Sequence, residues 1–311
     1  MNTTTTLLRP GGMTDSTPLL GDAPALRQRT ELDGYLFFRE FLPASDVLKV
    51  REDLMGVVRR HGWSRVDQPV MEGTIDADVL KQVPTEQIRT DIGVTSEMYD
   101  DVQRLESVHR LPHHPKLVEL YRSLFGSEVL VHPRHIVRMI TPHHAMVPTP
   151  VHQDFPLIQG TSNTWTCWCP AGDCGRDLGG LAVLRSSHRN GYLPVQEAPG
   201  AGGIMAQLCP GETDWVTADY AAGDVLTFPS YTVHKGTPCT LPNRIRLSLD
   251  VRYQPVDEYV EARSLNPHCE LKWEQIYADW KQDDLKYYWE KLPLRTSLWD
   301  DSLMKPSRRI C

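Results

Sequence analysis

Residues 223–234, GDVLTFPSYTVH, join a turn pair to a short apolar run and end on a histidine. Gly-Asp is a turn signal, and the run Val225–Phe228 that follows it predicts a short β-strand. His234 comes just after this run, so the strand would deliver an imidazole near its end. The stretch therefore indicates a β fold in which a strand presents a histidine.

Short runs of the same kind recur on both sides of this stretch, through residues 128–255. The other runs are Val129–Val131, Ile136–Ile140, Thr164–Trp168, Leu181–Leu184 and Leu247–Tyr253. Turn residues separate them, and no helical pattern comes between them. Strands at this spacing are typical of a β-sandwich or a β-barrel.

The segments that flank this β core differ from it in composition and in hydrophobic pattern. Residues 1–29 are rich in Thr, Pro and Gly, and we expect a flexible arm there. Residues 30–127 contain helical periodicities and form a helical lead-in. Residues 256–311 carry many aromatic side chains at helical spacing, which predicts a helical C-terminal cover packed on the core.

The composition excludes several classes of protein. The chain has 311 residues, a net charge of −7 and no basic stripe, which argues against a nucleic-acid partner. It contains no apolar run of transmembrane length and no secretory signal at its start. Seven cysteines without a CxxC pair predict no disulfide framework, buried free thiols at Cys167, Cys169 and Cys174, and a cytoplasmic location.

A second metal-ligand motif lies in the same β region, at His152-Gln153-Asp154. On a strand, side chains at i and i+2 point to the same face, so His152 and Asp154 could reach one metal. His234 would complete the set from another strand. Two imidazoles and one carboxylate form the facial triad of non-haem Fe(II), which leaves coordination positions open. Because the chain has 12 histidines, this triad needs support from its neighbours.

Four segments in a fixed order supply that support. They are TPVHQDF (149–155), TWTCW (164–168), GGLAVLRSSHR (179–189) and the stretch from Gly223 to Tyr253. The third resembles the GxLxVxPGSHR segment of the phytanoyl-CoA dioxygenase family of Fe(II)/2-oxoglutarate oxygenases, and the fourth resembles that family's GD…F…H…R close. The resemblance covers roughly residues 30–255. One departure is visible, since Arg185-Ser186 replaces the usual Pro-Gly pair.

The resemblance implies a fold and a set of roles. The fold would be mainly β with helical flanks, a double-stranded β-helix (a jelly-roll or cupin-like barrel) covered by N- and C-terminal helices. His152, Asp154 and His234 match the iron ligands. Arg246 or Arg244 would bind the distal carboxylate of 2-oxoglutarate, and Leu247-Ser248 after Arg246 favours Arg246. Trp168 matches a position that lines the co-substrate pocket, although it could equally be a core aromatic.

The expected activity is that of an Fe(II)- and 2-oxoglutarate-dependent dioxygenase. Such an enzyme uses O2 to hydroxylate or otherwise oxidise an unactivated C–H bond of a small metabolite, and it converts 2-oxoglutarate to succinate and CO2. Halogenating relatives lack the carboxylate at the position of Asp154, so its presence favours hydroxylation. The alternatives are a catalytically silent jelly-roll binding protein and a zinc hydrolase with the same ligands. We expect a small-molecule substrate, one of secondary metabolism, and a monomer or homodimer.

Overall fold

The computed structural model describes residues 11–311. Its strands are β1 (Gly11–Gly12), β2 (Leu36–Phe38), β3 (Val129–Val131), β4 (Ile136–Ile140), β5 (Trp165–Pro170), β6 (Leu181–Leu184), β7 (Val195–Glu197), β8 (Ile204–Ala206), β9 (Trp215–Thr217), β10 (Val225–Pro229), β11 (His234–Gly236), β12 (Arg246–Pro255), β13 (Tyr259–Glu261) and β14 (Arg295–Ser297). Its α-helices are α1 (Ala23–Asp33), α2 (Ala44–Arg60), α3 (Ala77–Gln82), α4 (Ser96–Gln103), α5 (Glu106–Arg110), α6 (Pro115–Phe125), α7 (Phe155–Ile158) and α8 (Trp273–Ile276). Short 3₁₀ helices lie at Thr17–Leu19, Val70–Glu72, Thr85–Gln87, Leu111–His113, Ser187–Asn190, Ala262–Leu265, Tyr288–Lys291 and Asp301–Met304.

Two β-sheets form the centre of the molecule. One has the strand order β1-β9-β6-β11, and the other has the order β2-β10-β5-β12-β3, with β4 also paired to β12. Except for β1 and β9, neighbouring strands are antiparallel. Apolar side chains of both sheets, such as Phe37, Trp168, Val183 and Val216, share one buried cluster. The arrangement is mainly β with flanking helices and is compatible with a jelly roll, as expected, although the two sheets remain separately hydrogen-bonded in the described residues.

Strand β12 shows how the sequence positions the site. Its ten residues are all buried, and they alternate strictly in character. Leu247, Leu249, Val251 and Tyr253 pack in the large core beneath the N-terminal helices. The residues between them are polar and point to the other face: Arg246, Ser248, Asp250, Arg252 and Gln254. A strand with one apolar and one polar face, both buried, places polar side chains inside the sandwich.

The N-terminal helices cover the outer face of the second sheet. Helix α2 buries a stripe at Val47, Val50, Leu54, Val57 and Val58, as the helical periodicity of the predicted lead-in requires. The expected arm, by contrast, is structured wherever it is described. Residues 11 and 12 form β1, and α1 begins at residue 23 behind an Asp22 side-chain cap. Residues 1–10 of the expected arm lie outside the described residues.

The C-terminal cover is aromatic, as predicted, but it is not the expected run of helices. Its longest α-helix in the described chain is the four-residue α8, and β13 and β14 form a small parallel sheet. The indole N–H groups of Trp273 and Trp280 donate to the backbone oxygens of Leu265 and Arg104. Burial of the aromatic rings and these hydrogen bonds to backbone carbonyls stabilise an irregular backbone. The spacing of the aromatic residues therefore did not indicate a helix.

The cysteines correct one expectation and confirm another. Cys209 and Cys311 form a disulfide across 102 residues of sequence, although we predicted none. Local spacing carries no information about a pair so far apart. Cys167, Cys169 and Cys174 are buried free thiols, as predicted. Residues 11–311 contain no helix that is both long and apolar enough to cross a membrane.

Candidate metal centre

Three predicted ligands come together in the structure. His152, Asp154 and His234 are buried, and their ligand atoms all lie within 4.8 Å of one another. The Nε2 atoms of His152 and His234 lie 3.6 Å and 3.8 Å from Oδ1 of Asp154. The backbones of the two histidines form an antiparallel bridge with two hydrogen bonds of 2.9 Å. The tertiary fold therefore holds the two distant motifs side by side.

Each histidine is oriented by a backbone carbonyl. Nδ1 of His152 lies 2.8 Å from the oxygen of Pro150, and Nδ1 of His234 lies 3.1 Å from the oxygen of Thr232. Because a carbonyl only accepts, Nδ1 of each ring is the donor, and Nε2 is the nitrogen left to face a metal. Burial and the neighbouring His152 lower the pKa of His234 to about 3, so its ring is neutral at physiological pH.

Asp154 lies at the start of a helix and not on the predicted strand. Its backbone has helical angles and forms the N-cap of α7. The side chain of Gln153 points elsewhere and donates to the backbone oxygens of Gly191 and Tyr231. The turn after the His152 bridge thus brings Asp154 beside His152, although the two residues do not share a regular strand.

One oxygen of Asp154 is held by the protein, and the other faces the imidazoles. Oδ2 accepts a hydrogen bond from the Thr166 hydroxyl and lies 3.3 Å from Nη2 of Arg252. Burial raises the pKa of Asp154, but the charge of the Arg252 guanidinium opposes burial and helps to hold that pKa well below its usual range. The carboxylate is therefore ionised and presents Oδ1 toward the two Nε2 atoms.

This donor set fits the predicted metal. Two imidazole nitrogens and one ionised carboxylate oxygen, all on one side of a small space, are the ligands of a facial Fe(II) triad. Outer partners fix the orientation of all three ligands, as is usual at metal sites. Thr166 and Arg252, which fix Asp154, were missed by the sequence reasoning. Polar residues at alternate positions of β12 were the signal that could have identified Arg252.

The two candidate arginines for 2-oxoglutarate lie in different environments. Arg246 is buried on the inner face of β12, and Nη1 donates to the Ser248 hydroxyl at 2.5 Å. Its Nε has no hydrogen-bond partner and no carboxylate lies within 4.0 Å of it among residues 11–311. Arg244 lies before the strand, is only partly buried and pairs through its backbone with Thr74.

A cavity of about 190 Å³ adjoins Arg246, and a buried guanidinium without an acidic partner suits an anionic ligand. Arg246 lines it, whereas Arg244 does not. Thr149 lines this cavity and also the larger one that contains His152 and Asp154, so the two spaces are neighbours. Trp168 is fully buried, and its ring centre lies 6.0 Å from the Arg246 guanidinium, so it packs behind the arginine and lines neither cavity.

The larger cavity opens onto the metal ligands. It has a volume of about 310 Å³, within the range of sites for small molecules. Leu157, Ile158 and Trp299 contribute apolar wall, and several arginines contribute charge. Thr149, Ala201 and Gly202 also line it. The sequence did not predict Arg134, Arg263 and Trp299, because these residues lie outside the metal-ligand motifs and no local pattern places them beside the metal site.

Comparisons with known proteins agree with this geometry. A model of the phytanoyl-CoA dioxygenase family matches residues 30–243. The 1-deoxypentalenic acid 11-beta-hydroxylases of Streptomyces arenae and Streptomyces exfoliatus are each 25% identical to this chain, and each alignment covers 81% of this chain and 88% of the relative.

A solved structure also shares the fold. The epimerase SnoN in complex with Fe3+, alpha ketoglutarate and nogalamycin RO has a TM-score of 0.53 and 20% identity, with 76% of this chain and 85% of SnoN covered. At this identity the likeness shows the fold alone. The family match and the buried triad together bear out the expected Fe(II)- and 2-oxoglutarate-dependent enzyme class. Because the family model spans more than half of the sequence, this chain belongs to the phytanoyl-CoA dioxygenase (PhyH) family.

Proposed function

We propose that this enzyme hydroxylates an unactivated C–H bond of a small, largely apolar metabolite. The observation that carries the proposal is the buried His152, Asp154 and His234 triad, of which His152 and Asp154 line a cavity of about 310 Å³. Fe(II) with 2-oxoglutarate supplies the oxidation by O2 when bound, with succinate and CO2 as co-products. The presence of Asp154 supports hydroxylation over halogenation.

The chain's own residues position the reactants. His152, Asp154 and His234 would hold the metal, and Thr166 and Arg252 keep Oδ1 of Asp154 free for it. Arg246 would bind the distal carboxylate of 2-oxoglutarate, since a buried guanidinium without an acidic partner is suited to a carboxylate. The apolar wall would orient the substrate's C–H bond and exclude water from the metal.

The named substrates of similar proteins support a small-molecule substrate. The Streptomyces relatives are hydroxylases of 1-deoxypentalenic acid, and SnoN has been solved with nogalamycin RO. A zinc hydrolase would leave Arg246 without a role. A silent binding protein would have no need for an intact triad and its outer partners.

The test measures 2-oxoglutarate turnover. We expect the protein with Fe(II), ascorbate, O2 and 2-oxoglutarate to form succinate slowly even without its substrate. Under anaerobic conditions, Fe(II) and 2-oxoglutarate together should produce a visible absorption band. Asp154→Ala should abolish both signals, whereas Asp67→Ala, an exposed control far in sequence from the site, should keep them. No succinate and no band with the unaltered protein would refute the proposal.

The cytoplasmic location and the monomeric or homodimeric state remain predictions from the sequence. The five free cysteines are consistent with a reducing compartment, but the Cys209–Cys311 disulfide counts against one. Alkylation of the denatured protein without reductant should label five cysteines if the disulfide forms in cells, and seven if it does not.

A further inference from the structure

The wall of the larger cavity holds more positive than negative side chains. It contains four arginines and three carboxylates: Arg134, Arg138, Arg252, Arg263, Asp91, Asp154 and Glu261. A charge removed from water is costly unless it is paired, so the partner of each group decides which charge is left for a ligand.

Two of the four arginines are already paired with carboxylates. Nε of Arg138 lies 2.6 Å from Oδ2 of Asp250, on the neighbouring strand. Nη2 of Arg252 lies 3.3 Å from Oδ2 of Asp154. These two arginines stabilise fixed acids of the protein and leave little positive charge for a ligand.

The two remaining acids of the wall, Asp91 and Glu261, differ in their partners. Asp91 lies 2.7 Å from Nη2 of Arg89, which is not part of the cavity wall. Glu261 is buried, and its Oε2 accepts the backbone N–H of Arg263 at 2.9 Å. Burial raises the pKa of Glu261, and within residues 11–311 no arginine or lysine nitrogen lies within 4.0 Å of its carboxylate.

Arg134 is the arginine best placed to bind an anion. It is half-buried, and its Nη1 donates to the backbone oxygens of Asn266 (3.3 Å) and Pro267 (2.5 Å). These two bonds fix the guanidinium plane. Within residues 11–311 no carboxylate lies within 4.0 Å of Arg134, and its Nε and Nη2 have no hydrogen-bond partner. A fixed guanidinium with two free donors matches a carboxylate.

Arg263 supplies a second guanidinium at the exposed rim of the cavity. Its Cζ lies 4.3 Å from the ring centre of Trp299, which also lines the cavity. Stacking on an aromatic face orients a guanidinium without using its in-plane donors. In the described part of the chain, Arg263 likewise has no carboxylate within 4.0 Å.

We infer that the larger cavity binds a small apolar molecule with one carboxylate, held by Arg134 and covered at the rim by Arg263. The two guanidiniums and the one carboxylate that have no ion pair, Arg134, Arg263 and Glu261, leave a single positive charge for an anion to balance. The rest of the molecule would lie against the apolar wall, toward His152 and Asp154. This inference rests on the proposed function only in taking the bound acid as the molecule that is oxidised. The binding of the acid itself can be measured without turnover.

The first test compares three ligands of one shape. The unaltered enzyme is loaded with Fe(II) and saturating 2-oxoglutarate without O2, so that the cavity beside Arg246 is filled. Adamantane-1-carboxylate, adamantane-1-carboxamide and 1-aminoadamantane are then titrated by calorimetry. We expect the acid to bind at least about tenfold more tightly than the amide and the amine, as a charge-assisted contact requires. Equal binding of acid and amide, tighter binding of the amine, or no binding of the acid would overturn the inference.

The second test identifies the arginine. Arg134→Gln should weaken the acid about tenfold and leave the amide nearly unchanged, and Arg134→Lys should restore part of the difference. Arg65→Gln is the matched control, because Arg65 is an exposed arginine paired with Asp67. If Arg134→Gln is poorly folded, the acid and amide comparison in Arg263→Gln replaces it, with a smaller loss expected. Equal losses for acid and amide, or no loss, would contradict the assignment.

A separate readout distinguishes the two proposals. If the unaltered enzyme forms no visible band with Fe(II) and 2-oxoglutarate, the proposed function fails. If the band forms but the acid has no advantage over the amide, only the inference about the carboxylate fails. If the band forms and the advantage depends on Arg134, both are supported.

Discussion

Arg246 and Arg244 differ by two positions, yet we expect only one to matter for 2-oxoglutarate. Arg246→Leu should raise the KM for 2-oxoglutarate on the order of a hundredfold, because a buried charged partner is lost. Arg244→Leu should change that KM by less than about threefold, since Arg244 does not line the co-substrate cavity. The measurement is succinate formation against 2-oxoglutarate concentration. A larger effect at Arg244 than at Arg246 would exchange the two assignments.

Thr166 and Arg252 are expected to act on the metal through Asp154. Thr166→Val removes the hydroxyl that donates to Oδ2, and Arg252→Met removes the neighbouring guanidinium. Each change should lower Fe(II) affinity roughly ten- to a hundredfold, the usual effect of losing an outer partner. Anaerobic titration with Fe(II) measures this, and Thr166→Ser, which keeps the hydroxyl, is the control. Unchanged affinity in both Thr166→Val and Arg252→Met would mean that Asp154 is oriented without them.

The turn before β10 shows how a single position can decide an element. Gly223 has a φ of +98°, and a side chain there would collide with the backbone oxygen of Leu42. Gly126, at the end of α6, has a φ of +68° but no atom within 4 Å of the place where a Cβ would lie. The two glycines thus share a backbone conformation and differ in their surroundings.

Alanine at these two glycines should therefore have unequal effects. Gly126→Ala should lower the free energy of unfolding by about 1 kcal/mol, the strain of a left-handed backbone. Gly223→Ala should lower it by at least about 2 kcal/mol, because the collision adds to that strain. Chemical denaturation of the two variants measures the difference. Equal losses would show that the backbone near Leu42 can move aside.

Histidines buried throughout the molecule should make its stability depend on pH. Burial lowers the pKa of His109, His113 and His132 to about 4, from an ordinary value of 6.5. Between these values the unfolded chain binds more protons than the folded one, so stability falls as pH decreases from 6.5 to 4. Each histidine contributes up to roughly 3 kcal/mol to this loss.

Denaturation curves at several pH values test this expectation. Above pH 6.5 these three histidines should contribute almost no pH dependence to the free energy of unfolding. Below pH 6.5 the free energy of unfolding should decrease as the pH decreases. His109→Gln keeps a donor for the backbone oxygen of Gln103 and removes one titrating group, so its slope with pH should be smaller. A stability that does not fall between pH 6.5 and pH 4 would contradict the neutral, buried state of these rings.

At the scale of the whole molecule, the residue types and their short-range order were sufficient to predict the β core, the helical lead-in, the three metal ligands and the family. The alternation of apolar and polar residues along a strand, and the apolar stripe along a helix, are local patterns. They can therefore be recognised from neighbouring positions in the sequence. The aromatic C-terminal cover was predicted as helical because spacing alone does not distinguish a helix from an irregular segment held by packing.

Contacts between residues that are distant in sequence became known only from the tertiary structure. The contact of Arg252 with Asp154, the disulfide between Cys209 and Cys311, and the absence of an acidic partner for Arg134 in the described chain all join residues far apart in sequence. Electrostatic pairing and burial depend on distances between such residues, which no local pattern encodes. The metal ligands were therefore predictable from residue type and order, whereas the charges around the substrate cavity became visible only when the chain was folded.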